Sequence, residues 1–467
     1  MNNKNIVWYE YHGRSDDWNS MVIANLGSPY QLYEWGQYKR TSSWESLKVI
    51  AENDYGFVYA ANILVKRYLF FAVCYIPSGG IGSIDILDDT FYQFKKISQS
   101  IMPKKISVGI VGLGTIAQIQ HLPNIVNLNN YFSIKSIADI SPKLCEQIAK
   151  NLPKTISIYS DWKNLCKDPR IEAVFFLTSG AHSLMSKYAL LNNKHVFAEK
   201  PLSLTVKDAK ELSLIAKRKK LVLQVGYMKT YEPLIKDIKQ KIKTLGELRS
   251  VRLNVYHPSD DSQLTHVKIK KFNDIDRKVL NFAKKFEINQ TKFCLGRLSN
   301  KWGHYYREVL QGSVIHGPSL LHSIFNELPV LEDVRIWPII NIHPNSKEPP
   351  CLNIFGKYKP YAMFEMNWLF LNDYPKYREI LEINGKKGSL EVSFPPPYLK
   401  NITAGIKLYN SKGVSKKSGG IKSAFKIEAE EFYKNIISKN FDVNIKSAIK
   451  DIEWLQKIVF LGSQKYD

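Results

Sequence analysis

The chain has 467 residues, 44% of them hydrophobic and 23% charged, which is enough apolar material to bury the cores of two or three domains and argues against a disordered chain. Its five cysteines are widely spaced and include no C-x-x-C pair, which points away from a disulfide framework and a zinc site, so no metal is expected. The formal charge of +23 is mostly lysine dispersed in short clusters such as "KRKK" at 217–220 and "KIKK" at 268–271. Such scatter reads as solvated surface, so no nucleic acid is expected as partner, while an electropositive pocket for a phosphorylated substrate is compatible with it.

The opening "MNNKNIVWYEYHG" has no apolar core ahead of a small-residue cleavage site, and the longest apolar run, "YLFFAVCYI" at Tyr68 to Ile76, is too short to cross a bilayer. A cytoplasmic protein without a membrane span is the expectation. An aromatic-rich segment, 1–104, ends in the polar, basic stretch "KKISQSIMPKK", which reads as a linker. From Lys105 apolar strands alternate with helices: "ISVGIVGLG", "FSIKSIAD", "SPKLCEQIAKNL", "EAVFFLT", "SLMSKYALLNN", "HVFAEK", "TVKDAKELSLIAKRKK" and "LVLQVGY". That alternation predicts an α/β fold with a doubly wound parallel sheet over 105–230. Beyond Tyr231 the segments become longer, aromatic and β-rich, from "ELRSVRLNVYH" to "AGIKLYN". They predict an α+β domain over 231–467 with a large open mixed or antiparallel sheet, a helical insertion between Asp260 and Lys301, and two closing helices.

The first strand of the alternating region runs into "GIVGLGTIAQIQHLP". Gly112, Gly114 and Ala117 stand there in G-x-G-x-x-A spacing, with Thr115 and Ile116 opening the helix. One glycine permits the tight turn, the second lets backbone approach a pyrophosphate, and the small third residue packs helix on strand. The next strand ends in Asp139, whose carboxylate can accept hydrogen bonds from an adenosine ribose and would repel a 2′-phosphate. NAD is therefore the expected cofactor. NADP remains possible because Lys143 is near.

"HVFAEKPLSLT" ends a later parallel strand at Glu199, Lys200 and Pro201, on the side of the sheet where ligands bind in such folds. The ordered series "IADISP", "YSDWKNLCKDPRIEAVFFLT", "EKPLSLT", "QVGYMKTYEP" and "LGELRSVRL" resembles the Gfo/Idh/MocA family of oxidoreductases from Lys105 to about Leu253. The resemblance implies a Rossmann domain, a nicotinamide cofactor, and hydride transfer to or from a sugar hydroxyl or ketone. It also implies roles. Lys200 would hold, polarise or deprotonate the hydroxyl, with Glu199 orienting the amine. Thr178 and His182 in "LTSGAHS" would border the cofactor, and Tyr227, Lys229 and Tyr231 in "GYMKTYEP" would lie toward the substrate. The family's Asp and His on a later helix are altered in "LQGSVIHGPSLLHSIFNELP", where His316 and His322 are the candidates for a proton shuttle, His322 the favoured one.

"SPYQLYEWGQYKR" and "FAVCYIPSGGIGS" are similar to the opening of FemAB-like acyltransferases. The resemblance implies an acetyltransferase-type α+β half-domain over 1–104, an accessory module that a partner chain would complete. The leading expectation is an NAD-dependent dehydrogenase or reductase of a nucleotide-linked sugar in bacterial surface-polysaccharide synthesis, assembled as a homo-oligomer. A non-catalytic dinucleotide- or sugar-binding sensor or scaffold, and an acyltransferase-associated bifunctional protein, are the alternatives.

Overall fold

The computed structural model describes residues 7–10, 14–24, 45–53, 56–67, 72–75, 81–82, 104–441 and 443–467. The chain divides into two compact units, Met1–Lys104 and Lys105–Asp467. In the first, strands β1 (Val7–Glu10), β2 (Glu45–Asn53), β3 (Gly56–Arg67) and β4 (Ala72–Tyr75) pair antiparallel in that order, and β5 (Ile81–Gly82) also pairs with β3. A helix, Ser15–Ala24, contributes buried Trp18 and Val22 to a small core with Ile50 and Ala60. The "SPYQLYEWGQYKR" stretch behind the acyltransferase reading lies outside the described residues, and so does most of "FAVCYIPSGGIGS".

The second unit begins with a six-stranded parallel sheet made of β6 (Ile106–Val111), β7 (Phe132–Ala138), β8 (Ser157–Tyr159), β9 (Ala173–Phe176), β10 (His195–Glu199) and β11 (Leu223–Gly226). Their order in the sheet is β11-β10-β9-β6-β7-β8. The central strand β9, "AVFF", is buried at every position, as helices on both faces of a parallel sheet require. The strand order reverses beside β6, and this opens a crevice at the carboxyl ends of the strands. Local chemistry sets the helix boundaries. Thr205 caps the helix Val206–Lys219 by accepting from Asp208 N, and Lys217, Arg218 and Lys219 fill its last turn, where cations offset the negative end of the helix dipole. The "KRKK" cluster is thus a helix terminus.

An eight-stranded mixed sheet follows, formed by β12 (Leu248–His257), β13 (Val330–Trp337), β14 (Cys351–Tyr358), β15 (Ala362–Phe370), β16 (Arg378–Gly385), β17 (Gly388–Phe394), β18 (Gly405–Asn410) and β19 (Gly413–Ser418). Its order is β13-β14-β15-β12-β16-β17-β18-β19, antiparallel except for the β12–β15 pair. Alternation of buried and accessible residues along β13 to β17 leaves one face for the core and one for solvent. Between β12 and β13 lie the helices Asp260–Gln263, Arg277–Leu295 and Ser299–Tyr305, a wide π-helical stretch Tyr306–Val314, and the helix His316–Phe325.

The two closing helices are Ala424–Ile437 and Ile445–Tyr466. The first returns to the parallel sheet. Phe432 meets Phe175 and Phe197 edge-on, and Tyr433 stacks on Tyr131 at 4.3 Å. A segment far along the chain therefore completes the core of the Rossmann domain.

Candidate functional site

At the mouth of the parallel sheet the chain turns sharply after β6. Gly112 has φ +89°, its N–H donates to Ala138 O at 2.9 Å, and a Cβ built on it would lie 2.6 Å from Thr178 N. No side chain fits there. Gly114 is different, because a Cβ on it would meet no protein atom within 4 Å. The open space in front of it, with the helix that follows starting at Thr115, Ile116 and buried Ala117, fits a pyrophosphate approaching backbone. Asp139 receives Leu113 N at 2.7 Å on one oxygen and Ser141 N at 2.9 Å on the other, so its carboxylate is fixed beside the turn. Thr178 Oγ1 is buried beside this mouth without a partner.

Glu199 and Lys200 follow at the end of β10. Glu199 Oε1 lies 2.6 Å from Nε2 of buried His121, and Oε2 accepts Lys200 N at 3.1 Å. Burial alone would raise the Glu199 carboxyl, but the hydrogen bond and charge of His121, with Lys200, hold it below its ordinary value. His121 comes from the glycine-turn helix and is boxed edge-on by Phe197 and Phe425. The Lys200–Pro201 peptide is cis, and Lys200 Nζ donates to Gly312 O in the π-helical stretch. Burial lowers the Lys200 amine below its usual value. Glu199 opposes that shift and Lys229 adds to it.

His316 belongs to the same cluster. Burial, then the charges of Lys200, Lys229 and His257, hold its imidazole well below the ordinary histidine value, and its Nδ1 is buried without a partner. A cavity of about 220 Å³ is lined by His257, whose charge reaches His316, and by Ser313, Trp368 and Phe370, with His304 and Glu308 also on its wall. Trp368 Nε1 donates to Ser313 Oγ at 2.9 Å, which anchors the indole one residue from the carbonyl that receives Lys200.

The structure does not bring every expected residue here. His322 faces the C-terminal helix, with Nδ1 3.5 Å from Asp451 Oδ1, and burial pushes that carboxyl up to about 6. The preference for His322 over His316 is therefore corrected, because helical spacing turns His322 away from the lysine cluster. Tyr227 is 2% exposed and packs in the main hydrophobic core. Lys229 is 4% exposed and forms an ion pair with Glu379, whose other polar neighbour is Tyr377 Oη at 2.6 Å. The ion pair with Glu379 occupies its ammonium. His182 is fully buried, with Nδ1 2.9 Å from Pro201 O and Nε2 3.0 Å from Thr178 O, and it braces the two loops from behind. Burial lowers its pKa although both carbonyls favour the charged ring. His121, His257 and Gly312 carry no local motif and were not expected. Among the described residues no cluster of three or more His, Cys, Asp or Glu could hold a metal, and no helix is long and apolar enough to cross a membrane.

Residues 106–227 match the family model described as the oxidoreductase family, NAD-binding Rossmann fold (GFO_IDH_MocA). Over these residues the chain is similar to the NAD-binding Rossmann domains that the model describes. The chain is 31% identical over 159 residues to an inositol 2-dehydrogenase/D-chiro-inositol 3-dehydrogenase of Lacticaseibacillus casei, covering 33% of this chain and 45% of that protein. It is 30% identical over 149 residues to a scyllo-inositol 2-dehydrogenase (NAD(+)) of Bacillus subtilis (strain 168), covering 32% and 42%. It thus spans under half the length of the curated relatives it matches. The fold extends further. An aldose-aldose oxidoreductase from Caulobacter crescentus, complexed with glycerol, superposes with a TM-score of 0.59 at 16% identity, covering 78% of this chain and 98% of that one. KijD10, a 3-ketoreductase from Actinomadura kijaniata in complex with NADP and TDP-benzene, gives 0.57 at 13% identity, covering 76% and 97%.

Proposed function

We propose that residues 105–467 act as an NAD(P)-dependent oxidoreductase of the Gfo/Idh/MocA family, interconverting a secondary alcohol and a ketone on a sugar or polyol. The observation that carries this reading is the convergence of Lys200 and His316 outside the carboxyl ends of the parallel strands, beyond a glycine turn with open space before Gly114.

The nicotinamide, when bound, supplies the acceptor or donor of hydride. The remaining work falls to side chains of this chain. Lys200 hydrogen-bonds the substrate oxygen and stabilises negative charge as it develops there. His316, kept neutral by burial, takes the hydroxyl proton when the carbon loses hydride, and returns it in the reverse direction. Glu199, clamped by His121, holds the end of β10 so that Lys200 points into the cleft. Asp139 receives the ribose hydroxyls, and Gly114 lets backbone N–H groups reach the pyrophosphate.

The cavity beside Ser313, with aromatic rings on its wall and polar groups among its lining, suits a polyhydroxylated ring. A nucleotide-linked sugar and a place in surface-polysaccharide synthesis extend this reading, with the first unit as a docking or acyltransferase-type module completed by a partner chain. Pairing of two copies through the solvent face of the eight-stranded sheet, where Arg252, Asn353, Glu365 and Asn367 form a polar ladder, is part of the same proposal.

The test is a titration of the full chain with NADH and NADPH, followed by cofactor fluorescence, with Asp139→Ala alongside. Saturable NADH binding that Asp139→Ala weakens on the order of tenfold supports the reading, since it removes hydrogen bonds to ribose. Lys200→Ala should then lower turnover of polyol or sugar substrates by roughly 10²- to 10⁴-fold with NADH affinity retained. If neither cofactor binds, the oxidoreductase reading fails. If NADH binds but no polyol or nucleotide sugar turns over, the chain is a dinucleotide-binding sensor.

A further inference from the structure

The insertion after β12 does not stay on its own domain. Between Lys268 and Asp276 it crosses the mouth of the parallel sheet and is tied down at successive points. Gln118, in the first turn after the glycines, receives Lys270 N at 3.0 Å on its carbonyl and donates to Lys270 O at 3.0 Å through its amide. Phe272 packs against the core of the Rossmann domain. Asp276 N donates to Ile140 O at 3.3 Å. Between these anchors the Asp274 carboxylate accepts from Ser141 Oγ on one oxygen and from Lys143 N, at 2.8 Å, on the other.

Ser141 is the cap of the helix Pro142–Ala149, and its own N–H donates to Asp139. Two carboxylates from distant parts of the chain therefore bracket one serine, at the end of the strand where a dinucleotide fold decides between a ribose hydroxyl and a ribose 2′-phosphate. An NADP-binding site needs a cation and free donors at this point. Here the donors that a phosphate would use, the Ser141 hydroxyl and the Lys143 N–H, are already taken by a carboxylate, and that carboxylate also lies in the field of Lys143.

We infer that Asp274, delivered by the insertion of the second domain, is a specificity-determining residue that excludes NADP in favour of NAD by filling the 2′-phosphate position with negative charge. This rests on the reading that the mouth binds a nicotinamide dinucleotide, and it gives the insertion a role in choosing the cofactor. The backbone donor of Lys143 is committed to Asp274, and its ammonium faces that carboxylate's charge.

The experiment titrates the full chain, unmodified and as Asp274→Asn and Asp274→Ala, with NADH and with NADPH, reading binding by cofactor fluorescence at low and at high salt. The unmodified chain should prefer NADH. Both variants should strengthen NADPH on the order of tenfold, the scale of removing one like charge a few ångströms from the phosphate, with NADH affinity changed by less than about threefold. The gain should shrink at high salt, because the charges are partly exposed. Unchanged NADPH affinity in both variants overturns the inference. An equal loss for both cofactors also overturns it, since Asp274 would then merely pin the insertion. A preference of the unmodified chain for NADPH overturns it as well. Failure of the unmodified chain to bind either cofactor is a different result, which brings down the proposed function and this inference with it.

Discussion

His316 and His322 lie on one helix and meet different surroundings. At 3.6 residues per turn their spacing sets them about 120° apart round the axis, so one can face the lysine cluster only if the other does not. From the residue types alone both are equally suited to carry a proton, and nothing local separates them. Burial and partners do, with Lys200, Lys229 and His257 around His316 and Asp451 beside His322. His316→Asn is expected to lower turnover on the order of 100-fold and leave NADH affinity intact, as steady-state kinetics and titration would reveal. His322→Asn should leave turnover within about twofold and cost about 1–3 kcal/mol in urea unfolding, because it strips a buried carboxylate of its partner. Reversed outcomes would return the proton shuttle to His322. Lys229 teaches the same lesson. It reads as a free cation in the sequence, and its neutralisation by Glu379, 150 positions away, has no local signature.

At the scale of elements, the strand–turn–helix at Gly112 is the part most legible beforehand, because a glycine turn, its strand and its acidic partner are marked by adjacent residues and short periodicity. The two glycines nevertheless do different jobs, and mutation should separate them. Gly112→Ala forces a Cβ into a left-handed backbone position and against Thr178 N, so a loss of at least about 1–2 kcal/mol of stability is expected together with weaker NADH binding. Gly114→Ala meets no protein atom. It should leave the urea midpoint near that of the unmodified chain while weakening NADH on the order of tenfold, if its open space is where a phosphate lies. Other elements were less legible. The strand β19, "GVSKKS", is exposed at every position, so it carries no apolar alternation; its lysines are the kind that guard a sheet edge. The helix Ala424–Ile437 could be read as a helix, but its apolar face does not name the sheet it covers.

For the whole molecule, pH offers a check on where the site is buried. His316 is held neutral in the folded state, while in the unfolded chain it takes a proton below about 6.5. Its contribution to stability is therefore present above that pH and is lost as the pH falls, at up to about 1.4 kcal/mol per pH unit. Buried carboxyls work in the opposite sense. Glu232, which burial raises to about 7, binds a proton in the folded state before it does in the unfolded one. The informative quantity is consequently a difference: between pH 6.5 and 5, the stability of His316→Asn should fall less steeply than that of the unmodified chain. Equal slopes for the two proteins would sink the assignment of a neutral histidine at this position. Most of the architecture could be read from the sequence alone. The alternating strands and helices, the following β-rich segment, the glycine turn with Asp139, and the Glu199–Lys200 pair at a strand end all rest on periodicity and on neighbours within a turn of one another, which short stretches of chain encode. Only the tertiary structure separated the two histidines, paired Lys229 with Glu379, set His121 behind Glu199, folded the helix Ala424–Ile437 onto the parallel sheet, and carried Asp274 to Ser141. Each of these depends on burial or on contacts between residues far apart in the chain, where desolvation and charge act through space and leave no pattern in the local sequence.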